Sequence, residues 1–180
     1  MKIVCVLTSP RDPSNSSAVA MRLLEGAKEN GHEAVVYNLN DMDVKGCQGC
    51  GHCKQHSCDC IVEDDLHGYW KELHECDALV IAAPNYCAYP CGPAITYMNR
   101  HYCLLEKDWK ARIKPGIKLV GVFSQGNPDR ERFMPAYDWF LGDFLNRGMV
   151  LAEKIVHIRA DGTDEGSEMM LRAYNTGKSL

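Results

Sequence analysis

Ten of the chain's 180 residues are cysteine, and five of them crowd into one stretch. From Gly46 it reads Gly-Cys-Gln-Gly-Cys-Gly-His-Cys-Lys-Gln-His-Ser-Cys-Asp-Cys, ending at Cys60. Cys47, Cys50 and Cys53 follow one another at two-residue gaps, which let thiolates converge while the glycines permit tight turns. Cys58 or Cys60 can supply a fourth thiolate. Compact runs of this kind hold 4Fe–4S clusters, in which each iron takes one thiolate. Zinc is the competing metal, although its four thiolates come more often from two well-separated Cys-x2-Cys knuckles. Unliganded thiols are the third reading. His52 and His56 read as solvated loop residues, with His56 a minor option for the fourth ligand.

A second stretch suits an anion. Ser14, Asn15, Ser16 and Ser17 crowd the approach to a helix, and Arg11 precedes them. A helix N-terminus offers unpaired N–H groups and the positive end of a dipole. Arg11 adds a charged fork for phosphate oxygens. The plainer account is that Ser16 or Ser17 caps the helix and Arg11 is solvated. Four such residues beside an arginine favour a phosphate. Among the remaining thiols, Cys5 lies in a strand-like run and reads as a small core hydrophobe. Cys76 and Cys103 have no evident partner. Asp64-Asp65 reads more simply as a helix start than as an acid pair.

The elements that must position these residues alternate strand and helix. Lys2–Thr8 is short and rich in β-branched residues, as a buried parallel strand should be. Val19, Leu23, Leu24 and Ala27 then recur at helical spacing up to Gly31, a C′ residue. Strands follow at Glu33–Leu39, Ala78–Ala83, Ile117–Ser124 and Met149–Ile158. Helices are expected from Asp64 or Asp65 to about Cys76, from Pro93 to about Leu105, over Pro135–Asn146 and over Glu165–Thr176. The aromatic helix between Phe133 and Phe144 has ring surface to spare for a subunit interface. Neither a repeat nor a linker divides the chain, so residues 1–180 are expected to form one domain, with 47–60 a loop within it.

Five strands alternating with helices predict a doubly wound parallel sheet. The loop after the first strand lacks the G-x-G-x-x-G of a dinucleotide fold, so the flavodoxin-like order 2-1-3-4-5 is expected, with the cysteine-rich loop after strand two. Ligands of such sheets sit at the switch point between strands one and three. The site would then combine Ser9, Arg11, Ser14, Asn15, Ser16 and Ser17 with Pro84, Asn85 and Tyr86, and with Ser124, Gln125 and Gly126. Stiff prolines and the rings of Tyr86 and Tyr89 suit a monophosphate carrying a flat ring system, for which FMN is the obvious candidate. Cys87 and Cys91 fall in the same loop, either as a thiol pair able to exchange electrons with the ring or as two ordinary loop thiols.

Composition narrows the function further. With 20 Lys and Arg against 24 Asp and Glu, the net charge is −4. A mildly acidic chain without a basic run is a poor partner for nucleic acid or an anionic membrane. No apolar stretch approaches the ~20 residues of a membrane span, and the run from Lys2 straight into a strand-like segment is not the pattern expected of a leader. The expected location is the cytoplasm, with thiols reduced and available for metal or redox chemistry.

The loops carry a resemblance to a known family. Ser9-Pro10-Arg11 followed by Ser14-Asn15-Ser16 is similar to the Gly-Ser-Pro-Arg-x-x-Ser-Asn-Thr loop of NAD(P)H-dependent FMN reductases and iron–sulfur flavoproteins, a branch of the flavodoxin-like superfamily. Pro84-Asn85-Tyr86 matches their Pro-Val-Tyr, and Asn99-Arg100 sits where they have Asp-Arg. With the cysteine stretch, the similarity covers about the first 126 residues. Thr8, Ala83, Ile95 and Asn99 depart from the family's Gly, Ser or Thr, Lys and Asp. The resemblance implies a flavin-dependent oxidoreductase that passes electrons between a 4Fe–4S cluster and FMN to a small acceptor, with a ferredoxin-like donor. A cluster-free reductase fed by NAD(P)H is the first alternative, and a zinc-stabilised binding module the second. It also implies a homodimer or homotetramer. Its spacing between the last cysteine and the following acidic pair favours Cys60 over Cys58, and a ligand just upstream of a helix start is better supported.

Overall fold

The structure is a computed structural model that describes residues 1–180. A parallel sheet is built from β1 (Lys2–Leu7), β2 (Glu33–Asn38), β3 (Ala78–Tyr86), β5 (Lys118–Gln125) and β6 (Val150–Ile158) in the order β2-β1-β3-β5-β6. This is the expected doubly wound order with one addition. A sixth strand, β4 (Tyr89–Pro90), folds back antiparallel onto the end of β3. The extra strand exists because β3 runs past Ala83 to Tyr86, and Cys87 and Ala88 turn the chain with φ of 52° and 71°. A two-residue turn with both φ positive matches the twist of a hairpin. No glycine at the turn signals it in the sequence.

Period-two alternation divides the strands between two cores. Val4, Val6, Leu79, Ile81 and Phe123 face one side, where α3 (Tyr69–Glu75), α4 (Gly92–Arg100) and α5 (Met134–Leu145) pack. Ile3, Cys5, Val80, Val120 and Val122 face the other, covered by α1 (Asn15–Glu29) and α6 (Glu168–Ser179). Cys5 is the core residue expected, and burial pushes its thiol up to about 12. The two covering helices touch backbone to backbone. A Cβ on Gly177 would lie 1.9 Å from the Leu23 carbonyl oxygen, and one on Gly26 would lie 2.0 Å from that of Tyr174.

Two helices are shorter than expected. The one after the cysteine loop starts only at Tyr69: Asp64 Oδ1 accepts the Leu66 N–H at 3.1 Å, as a cap would, but the residues that follow form turns before the helix begins. The α4 helix ends at Arg100 and continues as a 3-10 turn over His101–Leu104. The last helix starts at Glu168 and is capped by Ser167, whose hydroxyl accepts the Met170 N–H. Of the aromatic helix, Tyr137, Phe140 and Phe144 are consumed by the core, and Trp139 remains exposed. No helix is long and apolar enough to cross a membrane.

Candidate functional site

The C-terminal ends of β1, β3 and β5 lie side by side because of register: Leu7 pairs with Ala82, and Pro84 with Ser124. The loops that leave these ends enclose a cleft of 390 Å³. Ser9, Arg11, Ser14 and Asn15 form one wall, Pro84, Asn85 and Tyr86 a second, and Ser124, Gln125 and Gly126 a third. Pro13 and Arg159 complete it. Sequence reasoning missed Arg159, which follows the last strand and carries no local motif. It brings a second guanidinium to the cleft beside that of Arg11.

The helix end at this cleft is prepared for an anion. Ser14 occupies the N-cap position with extended backbone, yet no side chain caps the helix and its first turn holds no acidic residue. Its free N–H groups and dipole therefore face the cleft unneutralised. The loop before it is held by Ser9, whose hydroxyl accepts the Arg11 N–H at 3.1 Å. Ser16 is buried and bonded to Ser14 Oγ at 3.1 Å, and Ser17 lines a neighbouring groove, so neither forms the cleft wall.

On the far wall, Gln125 is fixed by the fold. Its Oε1 accepts the Tyr137 hydroxyl at 2.8 Å, and its Nε2 donates to Asp129 O at 2.7 Å. Asn85 Nδ2 is buried without a partner beside the cleft, a donor open to a ligand. The Cys87–Cys91 pair is not assembled there. Cys87 is exposed in the hairpin turn, whereas Cys91 is buried and donates to Thr8 O at 3.2 Å. Burial raises the Cys91 thiol, and neither cysteine lines the cleft. Thr8 is absorbed in the same contact, with its hydroxyl donating to Ala82 O at 2.8 Å.

The cysteine stretch forms a second, separate site. Gly49 and Gly51 adopt φ of 62° and 70°, conformations that fold the chain back ahead of the short helix α2 (His52–His56). Cys47, Cys50, Cys53 and Cys60 then line one small cavity, with Arg100, Tyr102 and Cys103 behind them. Cys58 does not line it, nor does His56. Burial raises the Cys53 thiol, and the neighbouring Cys60, Cys50 and Cys47 add to the shift. No three ligating side chains converge on one point for a single metal ion. A cluster instead distributes its thiolates over separate irons, and four thiols around a shared cavity suit that demand.

The loop is closed at its stem without any metal. Arg100 Nη1 donates to Lys45 O at 2.8 Å and also to Asp64, and Asp64 Oδ2 accepts the Lys45 N–H at 3.0 Å. Asp43 and Asp65 are tied by backbone and side chain on the next rung. Burial alone would raise the Asp64 carboxyl, but Arg100 and the Lys45 N–H outweigh it and hold it below its usual value. The pair is enclosed, so removing one partner would cost about 3–5 kcal/mol. Behind it, the Tyr69 hydroxyl bonds both Tyr97 at 2.5 Å and His101 Nε2 at 2.9 Å, fixing the end of α4.

Comparison with known proteins places the chain. A family model described as NADPH-dependent FMN reductase matches residues 1–154. The chain belongs to the NADPH-dependent FMN reductase family. Members of this family are flavin-dependent oxidoreductases, and so is this chain. An iron-sulfur flavoprotein of Methanosarcina thermophila is 26% identical over 139 residues, 77% of this chain and 72% of that one. One from Archaeoglobus fulgidus is 34% identical over 86 residues, 48% of this chain but only 41% of that one. Among solved structures, an NAD(P)H:quinone oxidoreductase from Methanothermobacter marburgensis superposes with a TM-score of 0.77 at 20% identity, covering 100% of this chain and 96% of that one. A flavodoxin from the domain Archaea gives 0.60 at 15% identity, covering 99% and 95%. These two likenesses establish the flavodoxin-like fold.

Proposed function

We propose that this reductase-family chain binds FMN in the cleft and a 4Fe–4S cluster in the cysteine cavity, and moves electrons from a ferredoxin-like protein to a small acceptor. The observation that carries this reading is the cavity lined by Cys47, Cys50, Cys53 and Cys60, in a loop already closed by Arg100 and Asp64. When bound, FMN takes electrons singly or in pairs and the cluster takes them one at a time, so the pair links two kinds of carrier. In the cleft, the N-terminus of α1 with Arg11 and Arg159 would hold the phosphate. Pro84, Asn85 and Tyr86 would flank the ring, with Asn85 Nδ2 free to donate to it.

The two sites lie at opposite ends of α4. Gly92 follows the hairpin beside the cleft and Arg100 lines the cysteine cavity, and these two ends of α4 lie roughly 12 Å apart along the helix axis. A homodimer or homotetramer that sets one subunit's cysteine loop against the next subunit's cleft would shorten the path.

Stopped-flow reduction of the flavin tests the direction of transfer. Reduced ferredoxin is expected to reduce it quickly and NADPH slowly. NADPH that matches or beats ferredoxin would replace this reading with a cluster-free NAD(P)H-dependent reductase, the activity carried by the name of the Methanothermobacter structure.

A further inference from the structure

The cysteine cavity contains a buried donor that the fold itself does not use. Arg100 is 1% exposed. Its Nη1 donates to Lys45 O and Asp64, and its Nη2 lies 3.4 Å from Asp64 Oδ1. Its Nε–H is buried with no hydrogen-bond partner by geometry, and the Cys60 thiol is the cavity sulfur beside the guanidinium. Leaving a buried N–H unsatisfied forfeits its hydration with no return, and native proteins do so rarely. Arg100 is also the one charged side chain lining the cavity of Cys47, Cys50, Cys53 and Cys60.

Its orientation is set independently of any ligand. Asp64 and the Lys45 carbonyl grip the outer nitrogens of the planar fork, and the guanidinium carbon lies 5.9 Å from the centre of the Trp70 ring. With both outer nitrogens engaged by the loop stem, Nε is the part of the guanidinium left for an occupant. An acceptor in that cavity meets a donor whose position is already fixed.

Resting on the cluster reading above, we infer that the Arg100 Nε–H donates a hydrogen bond to a sulfur of the bound cluster and thereby raises its reduction potential. Reduction adds one electron and breaks no bond, so the cluster with its thiolates gains one negative charge. A fixed N–H donor stabilises the more negative form more strongly. Asp64 balances the charge of Arg100 but leaves the Nε–H dipole in place. Arg100 thus acts on the cluster directly, and its effect is read in the potential. Lysine can still meet Asp64 but has no donor at the Nε position.

The test uses the full chain prepared anaerobically, as wild type, Arg100→Lys, and the neutral pair Arg100→Met with Asp64→Asn, neither of which places an N–H donor where Nε stood. Iron and acid-labile sulfide are measured first, then the midpoint potential by dithionite titration followed by electron paramagnetic resonance. The variants are expected to keep iron and sulfide and to titrate at a more negative potential than wild type. Either variant that keeps its cluster suffices for the comparison. An unchanged midpoint in a variant with full iron overturns the inference, as does loss of iron from both variants. Wild-type protein without iron and sulfide would end the cluster reading itself, and this inference with it.

Discussion

Cys60→Ser is expected to remove most of the iron and acid-labile sulfide from the anaerobically prepared protein, and Cys58→Ser to leave both in place. Cys60 shares its cavity with Cys47, Cys50 and Cys53, while Cys58 lies outside it. Support for the ligand differs as well. Cys60 is four residues from Asp64, which is pinned to Arg100 and Lys45. Cys58 follows Ser57, a residue at φ 49° whose hydroxyl is turned toward Glu106 at 2.7 Å. A ligand held by its surroundings loses less freedom on binding and keeps its geometry. The reverse pattern would reassign the fourth ligand. Full retention in both variants would mean that no four-cysteine cluster exists here.

The second large effect is expected in the cleft. Arg11→Ala should weaken FMN at least about tenfold, since a charge-assisted bond to phosphate contributes about 1.5–3 kcal/mol. Riboflavin, which lacks the phosphate, should bind much more weakly than FMN to the unaltered protein. Titrating the apoprotein while following flavin fluorescence gives both affinities. Equal affinity for FMN and riboflavin would sink the assignment of the α1 end as a phosphate site, whatever Arg11→Ala does.

Much of this architecture was legible in the chain because it rests on local pattern. The apolar runs of β1 and β3 are short and continuous, and the absence of glycines after β1 argued against a dinucleotide fold. The cleft was legible for the same reason, since strand order alone brings the loops after β1, β3 and β5 together. What escaped depends on distance in sequence. Arg159 reaches the cleft only because β6 is the neighbour of β5. Asp64 looked like a helix start and does accept the Leu66 N–H, but only the folded chain shows that it also holds Arg100, 36 residues away. Gly26 and Gly177 look like weak points of two helices, but they permit the contact between them. Of the two readings of Cys87 and Cys91, the pair and the ordinary loop thiols, the fold assembles no pair: a hairpin with no glycine at its turn sends Cys87 to solvent while Cys91 turns inward to Thr8.

The central claim is that one chain carries two redox centres, a flavin at the β1–β3–β5 cleft and a cluster in the cysteine loop. Quantifying flavin, iron, sulfide and zinc in anaerobically purified protein, with its visible spectrum, tests this most directly. The account predicts a brown protein with about one FMN, four irons and four acid-labile sulfides per chain. A yellow protein with FMN but no iron, or a colourless one with zinc in place of both, would contradict it.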